Sequence, residues 1–204
     1  MRHVLAALAL IAAPAAGTLL AQAPALPGQP NPRLVAAGTY QVDPHHTQVT
    51  WTVNHLGFSL LSGQFGASGG RITIDPARPA ATSLEVTFDT DQLSSTSDAF
   101  TKHLKSDDFF DTAAHPTARF VSRAVQVNGD RATVTGDLTI KGITRPVTLQ
   151  AQFVGAGLNP MNKKLNFGFR ATGQINRSEF GLGMAVPAVS DRVDLEINAA
   201  FQAA

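Results

Sequence analysis

Along most of this chain, apolar and polar residues alternate one by one. In "RATVTGDLTIK", Ala132, Val134, Gly136, Leu138 and Ile140 share one face, against Arg131, Thr133, Thr135, Asp137 and Thr139 on the other. "KLNFGFRAT" sets Leu165, Phe167, Phe169 and Ala171 against Lys164, Asn166, Gly168 and Arg170, and "RVDLEINAAF" sets Val193, Leu195, Ile197 and Phe201 against Arg192, Asp194, Glu196 and Asn198. "SLEVTFD" repeats the pattern with Leu84, Val86 and Phe88, and "QVTWTVNH" with Val49, Trp51 and Val53. A period of two marks strands that are dry on one face and wet on the other. About eight or nine such strands follow one another, joined by turn signals such as "NGD" at 128–130 and "KG" at 141–142. No covering helices are predicted over the sheet, so the apolar faces must meet each other. That leaves a closed barrel or a two-layer sandwich, since a packed sandwich core gives the same alternation.

One segment breaks the pattern. "SSTSDAFTKHLKS", residues 94–106, has Ser95 three residues before Asp98, a capping-box spacing, with Phe100 and Leu104 one turn apart. Lys102, His103 and Lys105 crowd its last turn, where cations suit the helix dipole. The spacing predicts a short helix over 97–105, lying across a barrel end with Phe100 and Leu104 turned inward. It runs into Phe109 and Phe110, adjacent rings that neither a strand nor a helix could point into one core. One ring is expected to enter the barrel and the other to pack under the helix.

Composition adds the compartment. Residues 1–23 begin with Arg2 and His3, continue as an apolar run from Val4 to Ala13, and end on Ala21-Gln22-Ala23, the form of a signal-peptidase site. An export signal over 1–23 is therefore expected, and with it a periplasmic protein. No other stretch reaches the roughly 18 apolar residues of a membrane-spanning helix. Residues 24–38 carry four prolines and read as a flexible lead-in to a single domain over 39–204. The chain has 16 Lys and Arg against 15 Asp and Glu, and loss of Arg2 would leave 15 of each. Such balance argues against a nucleic-acid or anionic-membrane partner held by charge. There are no cysteines, which excludes thiol catalysis and zinc–thiolate sites; about 180 residues can build a core without disulfides.

The chain resembles the YceI-like family, periplasmic proteins that bind polyisoprenoids or other lipids in a lipocalin-like barrel. The resemblance runs through "YQVDPHHTQVTWTVNHLGFSLLSGQF" at 40–65, "HLKSDDFFDTAAHPTARFVS" at 103–122 and "VTGDLTIKGITRPVTL" at 134–149. It continues through "INRSEFGLG" at 175–183 and "VSDRVDLEI" at 189–197. His46-Thr47 stands where the family usually has His-Ser, and His115 where it often has Tyr, both mild departures. The resemblance implies an all-β protein, one antiparallel up-and-down barrel with a short helix near one end. It also implies non-catalytic binding, transport or storage of a long isoprenoid or similar amphiphile. Gly57, Gly63, Gly66, Gly69 and Gly70 fit the curl of a barrel. The expected tunnel lining is Trp51, Phe58, Phe65, Phe88, Leu104, Phe109, Phe110, Phe120, Phe167 and Phe169.

Polar chemistry is sparse. Asp43, His45 and His46 cluster in "DPHH", with His55 nine residues beyond His46 on the inward parity of Val49, Trp51 and Val53. Histidine beside carboxylate can bind metal or exchange protons, but a third ligand at a proper spacing is missing, so no metal or cofactor is expected. His46 and His55 are instead candidates to meet a ligand head group. Arg177, inside an apolar pattern, either pairs with Asp191 or Glu179 or anchors a phosphate or carbonyl head group, a role Lys102 could share. No nucleophile elbow, zincin motif or phosphate loop is present. Two rival readings stay open: an accessory quinone-binding protein in transient contact with a membrane cytochrome, and a His-based enzyme on the same barrel. Stable membrane insertion is not expected; homodimerisation is left open.

Overall fold

The computed structural model describes residues 25–204, so the expected export signal over 1–23 lies outside the described residues. Nine strands are present among them: β1 (Gly38–Val42), β2 (Gln48–His55), β3 (Ser59–Ile74), β4 (Ser83–Asp89), β5 (Thr117–Asn128), β6 (Arg131–Ile140), β7 (Ile143–Leu158), β8 (Leu165–Asn176) and β9 (Arg192–Ala203). Each strand from β2 to β9 pairs antiparallel with the next, and β2 also pairs with β9, closing the ring. β1 fits between the same neighbours as β2. Tyr40 of β1 faces Ile72 and Ala203, while Trp51 of β2 faces Gly63 and Leu195. The two are halves of one stave, so nine strands make an eight-stave up-and-down barrel. Closure pairs the strands all the way round, which is how an all-strand domain avoids edge-to-edge association.

The break between the halves is the "DPHHT" segment. The Asp43 carboxylate accepts the His45 backbone N–H at 3.0 Å and meets His46 Nδ1 at 2.7 Å. The Thr47 hydroxyl replaces the lost ladder on the β9 side, donating to the Ala200 carbonyl at 3.1 Å and accepting the Ala200 N–H at 3.0 Å. Either Ser or Thr supplies that hydroxyl.

Register shifts between Ala67 and Gly69, Ser122 and Ala124, and Phe153 and Gly155 bend the sheet into a tube. At Gly70, with φ +139°, an added Cβ would stand 2.2 Å from the Glu85 carbonyl oxygen, so only glycine fits that close approach. Residues 25–37 are not the free lead-in their prolines suggested. Gln29 exchanges backbone hydrogen bonds with Ala156 at 2.8 and 2.9 Å. A 3-10 turn over Pro32–Leu34 then carries Val35 into the core, across the barrel end opposite the helix.

The one α-helix among the described residues, α1 (Asp98–Lys105), is capped by Ser97, whose hydroxyl accepts the Phe100 N–H at 3.3 Å; Ser95, the expected cap, bonds Thr101 instead. The helix lies over the barrel end that holds the β2–β3, β4–β5, β6–β7 and β8–β9 connections. Leu104 is buried beneath it and Phe100 meets Trp51 edge-on, with centroids 6.5 Å apart.

Candidate functional site

Within the staves lies a cavity of about 520 Å³, inside the range of roughly 300–1,000 Å³ usual for small-molecule sites. Its wall is almost wholly apolar because the inward parity of every stave is. Trp51, Phe65, Phe88, Leu104, Phe109, Phe110, Phe120 and Phe169 all line it, together with Leu61, Phe153, Val193 and Leu195, which were not among the residues expected there. Phe153 was legible in principle, since "VTLQAQF" alternates like its neighbours. Most lining residues that are also exposed, among them Pro32, Arg33, Val127 (48% exposed) and Arg131, gather at the end away from the helix; Met184, in the loop over the helix end, is the exception. The mouth is therefore between the lead-in, the β3–β4 loop and the β5–β6 hairpin, and the helix end is the closed one.

Phe109 and Phe110 both reach the cavity, in place of the expected division of one ring inside and one beneath the helix. Their turn is neither helix nor strand: Phe110 N–H donates to the Leu104 carbonyl, Asp111 N–H donates to that of Ser106, and Asp111 takes φ +46°. Freed from strand parity, Phe109 packs on His103 (5.1 Å) and Phe110 on Phe65 (5.2 Å).

Other expected positions lie elsewhere. Phe58 is 88% exposed in the β2–β3 turn and touches no part of the cavity. Phe167 is buried but beyond the cavity, stacked on Phe201 at 5.4 Å and edge-on to Tyr40 at 4.8 Å, where it fills the β1, β8 and β9 side of the barrel. His46 points outward, its side chain 73% exposed beside Asp43, so this histidine belongs to the stave break and not to the interior. His55 keeps inward parity but sits past the cavity, bridged to Val189, and Lys102 is exposed on α1. Among the described residues, no three His, Cys, Asp or Glu side chains come together as a metal site.

Arg177 is 6% exposed and makes no ion pair with Asp191 or Glu179. Its guanidinium donates to four main-chain carbonyls: Ser190 (2.9 Å), Val189 (2.9 Å), Met184 (2.8 Å) and Leu182. Burial pushes its pKa down. Asp191 turns instead to Ser178, accepting the hydroxyl at 2.7 Å and the backbone N–H at 2.8 Å, and these bonds hold its carboxyl below the usual range. Arg177 thus staples the 182–190 loop over the closed end.

Two buried side-chain polar atoms among the described residues lack a partner, Trp51 Nε1 and Asn166 Oδ1, and of these two residues only Trp51 lines the cavity. Leaving a buried donor unpaired costs about 1–3 kcal/mol.

The YceI-like domain model matches residues 40–201, nearly the whole barrel. The chain belongs to the YceI-like family. It is 38% identical over 164 residues to Protein YceI of Escherichia coli O6:H1, covering 79% of this chain and 85% of that protein. Among solved structures, Burkholderia cenocepacia BcnA superposes with a TM-score of 0.67 at 26% identity, over 78% of this chain and 98% of that one. A polyisoprenoid binding domain from Saccharophagus degradans, implicated in plant cell wall breakdown, shares the fold with a TM-score of 0.61 at 13% identity, over 81% of this chain and 98% of that domain. The residues matched by the YceI-like model, 40–201, take in the stave break and the helix.

Proposed function

We propose that this protein holds a long-chain isoprenoid or related lipid inside its barrel, without covalent chemistry, as a carrier or store. The observation that carries this reading is the cavity of about 520 Å³ with an apolar wall and a mouth at one end. Each methylene buried there contributes about 0.8 kcal/mol, so a chain of about twenty carbons binds without an elaborate polar site. The fold shared with a polyisoprenoid binding domain supports the same ligand class. We extend the proposal to a periplasmic site of action, for which residues 1–23 supply the export signal.

Purified protein should yield, on organic extraction and mass spectrometry, a long isoprenoid or acyl lipid near one per chain. Emission from Trp51, the sole tryptophan, should shift on delipidation and return with a polyprenyl compound. A protein that is isolated empty, takes up no such lipid and keeps the same emission defeats the proposal. Intact mass of the exported material should show a start near residue 24; a full-length chain retained in membranes overturns the localisation.

A further inference from the structure

The even balance of charge that argued against an anionic-membrane partner holds for the chain as a whole but not for its two ends. The mouth end is formed by the lead-in, the β3–β4 loop, the β5–β6 hairpin and the β7–β8 loop. These carry Arg33, Arg78, Arg131, Lys163 and Lys164, all exposed, against Asp75 and Asp130. Arg78 is paired with Asp75 at 2.8 Å; the other four cations make no ion pair among the described residues. The connections at the closed end, over 90–116, 141–142 and 177–191, carry the opposite excess, seven Asp and Glu against four Lys and Arg.

The mouth end is also apolar at its tips. Leu26 (77% exposed), Leu34, Val127, Leu158 and Met161 (91% exposed) stand out from it. The β7–β8 loop is braced beneath Met161. The Met161 N–H donates to the Asn159 side chain at 2.9 Å, the Lys164 N–H to that of Asn162 at 3.0 Å, and the Asn159 N–H to the Lys164 carbonyl at 2.9 Å. Arg33, Val127 and Arg131 line the cavity as well, so this surface is continuous with the opening. Exposed apolar residues grouped among polar ones mark an interaction surface.

We propose that the mouth end docks reversibly on an anionic phospholipid bilayer, its apolar tips entering the head-group region while Arg33, Arg131, Lys163 and Lys164 face lipid phosphates. This rests on the lipid-binding reading above and gives the ligand its route. With the mouth seated on the bilayer, a lipid chain passes into the cavity without crossing water, where each methylene would have to be solvated. A second copy fits this face less well, because mouth-to-mouth contact sets two cationic ends together. The other exposed apolar group, Leu56, Phe58, Leu60, Met184 and Val186, lies at the acidic end, which an anionic surface repels.

Flotation of the mature protein with vesicles tests this, using phosphatidylcholine alone or with about 30% phosphatidylglycerol. At about 50 mM salt the anionic vesicles should bind about 10-fold more tightly than the neutral ones, and about 500 mM salt should remove most of that difference. Lys163→Gln combined with Lys164→Gln should weaken binding to anionic vesicles about 10-fold, and Leu158→Ser combined with Met161→Ser about 5-fold. Phe58→Ser, at the other end, should leave it within about twofold. All five side chains are exposed, so the fold does not depend on them, and the salt and lipid dependence is read on the native chain in any case. Absence of vesicle binding, equal binding to both compositions, or a loss that follows Phe58 and not the β7–β8 loop overturns the proposal. A protein that ignores vesicles and forms a dimer broken by Met161→Ser gives this face to a second copy instead. Uptake of a polyprenyl compound by a protein that ignores vesicles defeats the docking alone; vesicle binding without any such uptake upholds the docking and defeats the lipid-binding reading.

Discussion

Replacing Arg177 by methionine separates a structural staple from a ligand anchor. The side chain is nearly as long and stays apolar, but four main-chain carbonyls, those of Leu182, Met184, Val189 and Ser190, lose their donors at once. Hydrogen bonds from a charged group contribute about 1.5–3 kcal/mol each, so a simple sum would exceed the stability of many domains. The sum overstates the loss, because Met184 and Val186 are exposed and the loop around them can take up water. Leaving a buried carbonyl unpaired costs about 1–3 kcal/mol, and with part of the loop rehydrated the expected loss for Arg177→Met is about 3–5 kcal/mol. For a domain of this length it corresponds to a Tm lowered by roughly 10–15 °C. Urea unfolding followed by circular dichroism measures the loss, and amide exchange should show the opening confined first to residues 182–190. Arg177→Lys should recover little, since an ammonium carries three donors and lacks the planar fork. A methionine variant within about 1 kcal/mol of the native protein, with unchanged exchange in the loop, refutes the staple. A variant of native stability whose ligand preference has changed would restore the head-group role for Arg177.

Phe109→Ala and Phe110→Ala should each cost about 2 kcal/mol, roughly half the loss for a fully packed ring, because both rings are half-buried and border open space. Both should also admit longer chains, and unchanged chain-length preference in both would mean the rings serve only as packing. Gly63→Ala should destabilise by about 1–3 kcal/mol, since the new methyl meets the Trp51 ring and the Ser94 carbonyl oxygen at 2.7 Å. Trp51→Phe in that background should recover part of the loss, and strict additivity of the two changes would contradict the contact. Acid should weaken the protein through Asp191, whose pKa is depressed in the folded state. Its contribution is complete above the ordinary carboxylate range of about 4 and disappears as the pH falls through the lower, folded value. Asp191→Asn should therefore be less stable than the native chain at about pH 7, with the gap closing as the pH falls below the ordinary carboxylate range; a gap independent of pH speaks against it.

The alternation of side chains determined the strands and their inward faces, and narrowed the fold to a barrel or a sandwich without deciding between them, because a period of two is a local property that each strand carries alone. The inward Trp51, Phe65, Phe120 and Phe169 were legible on the same ground, and the helix over 97–105 from its cap spacing and the one-turn separation of Phe100 and Leu104. Tertiary structure decided what parity leaves open. Parity allows Phe58 and Phe167 an inward direction but does not say where the hollow stops; Phe58 lies in a turn past the rim and Phe167 in the filled β1, β8 and β9 side of the barrel. Local pattern also misses non-local partners. Arg177 was expected to find a carboxylate or a ligand head group, yet the fold brings it four carbonyls from a loop that follows it. The "DPHH" histidines looked chemical in one dimension, and only the collinear pairing of β1 and β2 with β3 and β9 makes them the joint of a broken stave. The unpaired Trp51 Nε1 has no signature in sequence at all, because the lack of a partner is a fact about every neighbour in space at once.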